Sequence, residues 1–172
     1  MKKNLWLLLP GALVPYWVLG ILAFVYFGGE LWEIFNNNIY SLLALFGVYL
    51  LVSLALSIVY GVRVLRGKIS CKAAAKAAMV IKLAQIPAFV AIFLLGALFF
   101  IAIWTIFFTL ALVFFDGVSL VLSGIPCGAA VIAAAKKDLL TPGESGMLGA
   151  AQFFFCADVI AAVILYKKLA KR

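Results

Sequence analysis

Asp116 and Asp158 lie in stretches of this chain that are otherwise almost wholly apolar, and the protein has only six acidic residues. A carboxylate in hydrocarbon costs at least ~2.5–3.5 kcal/mol on insertion scales. Each must therefore meet a partner, a proton, a water-filled gap or a boundary. The first expectation is an ion pair or hydrogen-bonded anchor that holds a bundle together. The alternatives are a site for a proton, an ion or a small-molecule substrate, and an interface with another subunit. Lys82 is the third charge in apolar surroundings, with Gln85 three residues on and Pro87 just beyond. On a helix its stem is expected to reach along apolar surface to the membrane interface. The alternative is an inward turn and a pair with Asp116 or Asp158.

Other polar residues fall on helical spacings. Asp116, Ser119, Ser123 and Cys127 recur at intervals of 3, 4 and 4, which is one face of a continuous helix. Tyr49, Ser53, Ser57 and Tyr60 make a second, milder stripe. Small hydroxyl residues of this kind are common where membrane helices pack. Gly124 and Gly128 form a small-xxx-small pair that predicts close helix approach, and Pro126 between them predicts a kink. If residues 147–166 form one helix, Gln152 and Cys156 share a face and Asp158 points about 120° or more away. Gln152 and Asp158 would then contact different neighbours.

The composition excludes several chemistries. Histidine is absent, and Cys71, Cys127 and Cys156 are far apart with no CxxC spacing. No zinc, haem or iron–sulfur site is expected, and the cysteines read as free thiols filling apolar space. No metal and no cofactor is predicted. Dinucleotide-fold glycine motifs, phosphate-binding loops and HExxH are absent from the sequence. Serine has no histidine to activate it. The contexts FFDG and CADV do not resemble an intramembrane protease. An enzyme is not expected; one acting on lipids is the least favoured reading.

These residues must be positioned by membrane helices. Of 172 residues, 68% are hydrophobic and 12% charged, and the mean hydropathy is +1.25. A soluble domain carries about 25% charged residues. The fold class expected is an all-α polytopic transmembrane bundle of about five spans, in a single domain over 1–172. An apolar run of ~20 residues crosses a bilayer as a helix. The spans predicted are 5–27, 39–62, 73–101, 105–135 and 147–166. Lys2 and Lys3 ahead of an apolar run imitate a signal peptide. The run reaches Phe27, beyond a typical h-region, and contains Pro10 and Pro15, so an uncleaved first span is expected.

Net charge is +8. The basic residues gather at the ends of apolar runs, as membrane anchors do, so lipid headgroups are expected as partners and nucleic acid is not. Arg63, Arg66, Lys68, Lys72 and Lys76 make the most basic stretch and are read as headgroup-contacting and cytoplasmic. That puts the N-terminus inside and the loop holding Glu30 and Glu33 outside. Lys68, Lys72 and Lys76 are four apart, a basic stripe if helical.

The 63 residues from Ala73 to Ala135 hold only Lys76, Lys82 and Asp116 as charges. One helix of that length would measure about 95 Å, so it must turn back. Asp116-Gly117 has turn chemistry. A turn near residue 103 gives two equal arms, sets Trp104 at an interface and keeps the Asp116 stripe on one helix, and is preferred. Five spans then leave Lys167, Lys168, Lys171 and Arg172 outside, against the positive-inside rule. Four spans plus a re-entrant or interfacial helix would remove that conflict and stand as the alternative. No internal repeat is evident, which weakens an inverted-repeat transporter.

The stretches KLAQIPAFVAIFLLG (82–96) and QFFFCADVIAAVILYKK (152–168) are similar to small multi-spanning bacterial membrane proteins with no assigned activity. The resemblance implies a bacterial cytoplasmic membrane and transfers no residue role. The leading functional expectation is a small membrane protein acting through other membrane proteins, through self-association or as a subunit of a complex. The alternative is a small transporter or channel. Its candidate polar site is Asp116, Asp158, Lys82, Gln85, Ser119, Ser123 and Gln152.

Overall fold

A computed structural model describes residues 6–27, 38–101, 106–154 and 156–171. Its elements are α1 (Leu9–Phe27), α2 (Ile39–Leu65), α3 (Cys71–Ile101), α4 (Ile106–Ala135), α5 (Pro142–Ala150), a 3-10 turn (Ala151–Phe153) and α6 (Ala157–Ala170), with no strand among the described residues. α2, α3 and α4 are long and apolar enough to cross a membrane, and α1 is a shorter apolar helix.

Local chemistry sets most of the ends. Pro10 sits in the first turn of α1, where its missing N–H costs nothing. The Asn38 side chain accepts from the Tyr40 N–H and caps α2. α2 stops at Gly67, whose φ of +73° is left-handed. There the Gly67 N–H bonds the Val64 carbonyl and the Lys68 N–H bonds the Arg63 carbonyl. Those two bonds satisfy carbonyls that a helix end otherwise leaves open. α4 ends in the same way at Asp138, φ +54°, with the Leu139 N–H on the Ala134 carbonyl. α3 begins behind Ser70, whose hydroxyl accepts from the Ala73 N–H. Lys68 therefore lies in a turn, and the expected stripe of three lysines is reduced to Lys72 and Lys76 on α3.

The first four helices alternate in direction. One core cluster joins Leu8, Tyr60, Val64, Cys71, Ala74 and Ala134. A second joins Val14, Val18, Phe46, Ile92, Leu112 and Leu122 towards the other end. The first cluster is built largely of alanine and cysteine, so α3 and α4 approach closely there. Among the described residues, every lysine and arginine except Lys82 gathers at the end of the bundle nearest this cluster.

Two expectations about the chain path are decided by helix continuity. α4 runs unbroken through Asp116 and Gly117, so there is no turn at that dipeptide. The turn expected near residue 103, with Trp104, falls on residues 102–105, outside the described residues. The span expected over 147–166 is not one helix. α5 ends at Ala150, the 3-10 turn covers Ala151–Phe153, α6 starts only at Ala157, and Cys156 takes φ +64°. A positive φ is uncommon at a residue with a Cβ, and this one falls where α6 begins. Neither α5, about 13 Å long, nor α6, about 21 Å long, can cross a ~30 Å hydrocarbon layer.

α5 and α6 instead form a hairpin whose two outer ends meet. Lys168 near the end of α6 pairs with Glu144 near the start of α5. The Lys72 ammonium donates to the Ala170 carbonyl at 3.0 Å, so the end of α6 lies beside the start of α3. Thr141 and Glu144 form a capping box that starts α5. The Lys168 hydrogen bond, with help from the Thr141 N–H, holds the Glu144 carboxyl below its usual range. Leu148, Leu165 and Leu169 join the alanine-rich core.

A Cβ added at Gly67 would meet no atom within 4 Å, so Gly67→Ala isolates the backbone term. The substitution is expected to cost about 1–2 kcal/mol, the left-handed penalty of an L-residue. Reversible denaturation in mild detergent measures it; an unchanged midpoint would show that the turn relaxes.

Candidate functional site

The hairpin brings Asp158 to Lys82. Asp158 stands in the first turn of α6, where the helix N-terminus favours a negative charge. Lys82 lies about 16 Å along α3 from Cys71 at 1.5 Å per residue, deep in the bundle. Its Nζ is 2.6 Å from Asp158 Oδ2 and donates to Ser123 Oγ on α4 at 3.3 Å. The Ser123 hydroxyl in turn donates to the Leu120 carbonyl at 3.2 Å. The Lys82 side chain is 0% exposed and that of Asp158 5%. Lys82 thus turns inward, contrary to the first expectation that it reaches the interface. Burial leaves it no water, and the nearest stabilising charge is the carboxylate at the hairpin tip.

Gln85, one turn further along α3, is fully buried. Its Nε2 donates to the Gly11 carbonyl at 3.1 Å. Pro15 inside α1 has no N–H to return to Gly11 four residues earlier. Gln85 supplies the donor that Pro15 removes, so α3 repairs α1. The Tyr49 hydroxyl donates to the Pro10 carbonyl at 2.6 Å, and Ser53, Ser57 and Tyr60 are buried below it. The α2 stripe is therefore a packing face, as its residue types imply. Gln152 donates to the Leu148 carbonyl at 3.0 Å and closes the last turn of α5. Gln152 and Asp158 do contact different neighbours, but because the chain breaks between them rather than because one helix separates their faces.

Asp116, Ser119, Ser123 and Cys127 are all buried on the inner face of α4. Asp116 lies about 10 Å along α4 from Ser123 and makes no ion pair among the described residues. Five buried polar atoms have no hydrogen-bond partner there: Ser53 Oγ, Gln85 Oε1, Asp116 Oδ1, Ser119 Oγ and Gln152 Oε1. Three of them flank the ion pair in sequence or continue its face of α4. The arrangement can hold a charge, orient a hydroxyl and accept protons at a carboxylate. No group of three or more Asp, Glu or Cys side chains converges as a metal cage among the described residues.

The glycine pair separates into two roles. A Cβ at Gly124 would touch the Gln152 carbonyl at 3.6 Å, so the hairpin tip packs there, while Gly128 faces open space. Arg63, Arg66, Lys68 and Lys72 are exposed at the basic end and Lys76 is half-buried. The end of α5 at Ala150 with a new helix from Ala157, and the Gln85–Gly11 bond, were not anticipated from the sequence. Pro15 was the available signal for the second. No family model, curated protein or solved structure matches the chain.

Removing one member of a buried pair strands the other charge, which typically costs about 3–5 kcal/mol. Lys82→Met and Asp158→Leu are each expected to destabilise the fold by that amount. The double variant should recover most of the loss. Additive losses in the double-mutant cycle would show that the two side chains do not interact.

Proposed function

We propose that this is a small polytopic protein of the bacterial cytoplasmic membrane that moves protons or small cations along the inner face of α4. In this reading α1–α4 span the bilayer and α5–α6 form a hairpin that enters and leaves from the cytoplasmic side. The hairpin that carries Asp158 to Lys82 in the bundle interior is the observation behind it.

The orientation follows from charge. Lys167, Lys168 and Lys171 share an end with Arg63, Arg66, Lys68, Lys72, Lys136 and Lys137, and such residues favour the cytoplasmic side. The five-span conflict with that rule then disappears. Irregular backbone at membrane depth is tolerated where protein or a water-filled cavity surrounds it, and helices broken at membrane depth recur at transporter sites.

The chemistry follows from cost. A buried ion pair is often no more stabilising than apolar side chains of equal volume, so cohesion alone gives little reason for one. Intramembrane ionisable residues commonly serve proton and ion pathways. Lys82 holds Asp158, and Ser123 links the pair to the Ser119 and Asp116 face. Asp116 offers a second carboxyl nearer the far end. The competing reading is a subunit that acts through membrane partners.

Two measurements test this. In a cysteine-free background, Ser145→Cys and Lys171→Cys should both react with a membrane-impermeant maleimide only from the cytoplasmic face. In vesicles loaded with a pH dye, the protein should dissipate an imposed proton or cation gradient, and Asp116→Asn should reduce flux to that of empty vesicles while leaving the melting curve intact. A folded wild-type protein that conducts no better than empty vesicles, yet copurifies with another membrane protein, would favour the partner reading.

A further inference from the structure

Beside the buried pair, a separate groove opens sideways between α2, α4 and α5. Its volume is about 650 Å³. Gly61, Gly128, Gly146 and Gly149 shape it, and its lining is otherwise apolar except for Lys136 and Ser145. At Gly61 a Cβ would already meet Ala129 and Ile125 at 3.5 Å, so that residue is the floor. At Gly128, Gly146 and Gly149 a Cβ would meet nothing within 4 Å. Phe153, at the hairpin tip, also lines the groove.

Length and polarity identify the occupant. Along α4 the lining runs from residue 124 to residue 136, about 18 Å at 1.5 Å per residue. That is close to one leaflet of a ~30 Å hydrocarbon layer. A partner helix crossing the membrane would need a seam about twice as long. The two polar lining residues are adjacent to helix ends at the basic end, so the groove has one polar mouth and an apolar length. Lys136 is exposed and makes no ion pair among the described residues. Glu144, the acid nearest the mouth in sequence, is engaged by Lys168 and the Thr141 N–H. Asp138 lies two residues from Lys136 with Lys137 between them, so the mouth keeps a net positive charge.

We infer that this groove binds one anionic glycerophospholipid of the leaflet at the basic end, with an acyl chain along Gly128 and Gly149 and the phosphate on Lys136. The inference does not depend on ion movement through the bundle. A bound lipid would pack the hairpin against α2 and α4 and hold Asp158 in register with Lys82.

Native mass spectrometry in mild detergent tests it, with dioleoyl phosphatidylglycerol and dioleoyl phosphatidylcholine as probes. The first phosphatidylglycerol should bind about fivefold more tightly than the first phosphatidylcholine, the preference one lysine near an anionic surface supplies. Lys136→Gln should equalise the two lipids. Gly128→Leu and Gly149→Leu should remove the tight first binding of both, with melting curves confirming that the fold persists. Equal wild-type affinities would overturn the inference. So would an unaltered first binding in Gly128→Leu, or a dimer that Gly128→Leu dissociates.

Discussion

The Lys82–Asp158 pair is the constraint around which the second half of the molecule is arranged. A lysine one-third of the way along an apolar helix has no route to water once its side chain turns inward. The carboxylate that answers it must come from a segment able to reach that depth. A straight fifth helix could offer Asp158 from its side. The hairpin offers it from the first turn of α6, where the helix N-terminus also favours the negative charge. The short α5 and the helix break after Phe153 accompany the placing of that turn beside Lys82.

A second theme is the repair of backbone groups in an apolar medium. Each unsatisfied carbonyl costs several kcal/mol where water cannot reach. Pro15 opens one at Gly11, and the buried amide of Gln85 closes it from another helix. Gly67 and Asp138 turn the ends of α2 and α4 so that the last carbonyls are met locally. Thr141 and Glu144 do the same for the first N–H groups of α5. Polar side chains that look like active-site candidates in the sequence are thus partly employed in holding backbone. Gln85, Gln152 and Tyr49 belong to this group, while Lys82, Asp158 and Ser123 meet one another through their side chains.

The same division explains the two ends of the bundle. The basic end is alanine-rich and closely packed, and the hairpin is inserted there. The opposite end is held by larger side chains, among them Phe46, Ile92 and Leu112. Small residues at the basic end let α3, α4 and the hairpin approach. Where glycines face outward instead, between α2, α4 and α5, they leave the lateral groove.

Much of this was readable from residue order. Apolar run lengths determined an all-helical chain with long membrane-compatible helices. The spacing of Asp116, Ser119, Ser123 and Cys127 determined that they share one buried face, because a helix repeats every 3.6 residues whatever surrounds it. The charge asymmetry of the two ends was also legible, and the positive charges near the C-terminus already strained a five-span path. What the sequence could not decide was the partner of each buried charge. Residues 82, 123 and 158 lie on three different elements, and no periodicity within one segment reports a meeting between segments. Nor could hydropathy separate a spanning helix from a hairpin. Both bury the same apolar residues, and the difference lies in the helix break after Phe153 and in the contacts of α6 with Lys82 and Lys72, which come from distant segments and not from a local breaker.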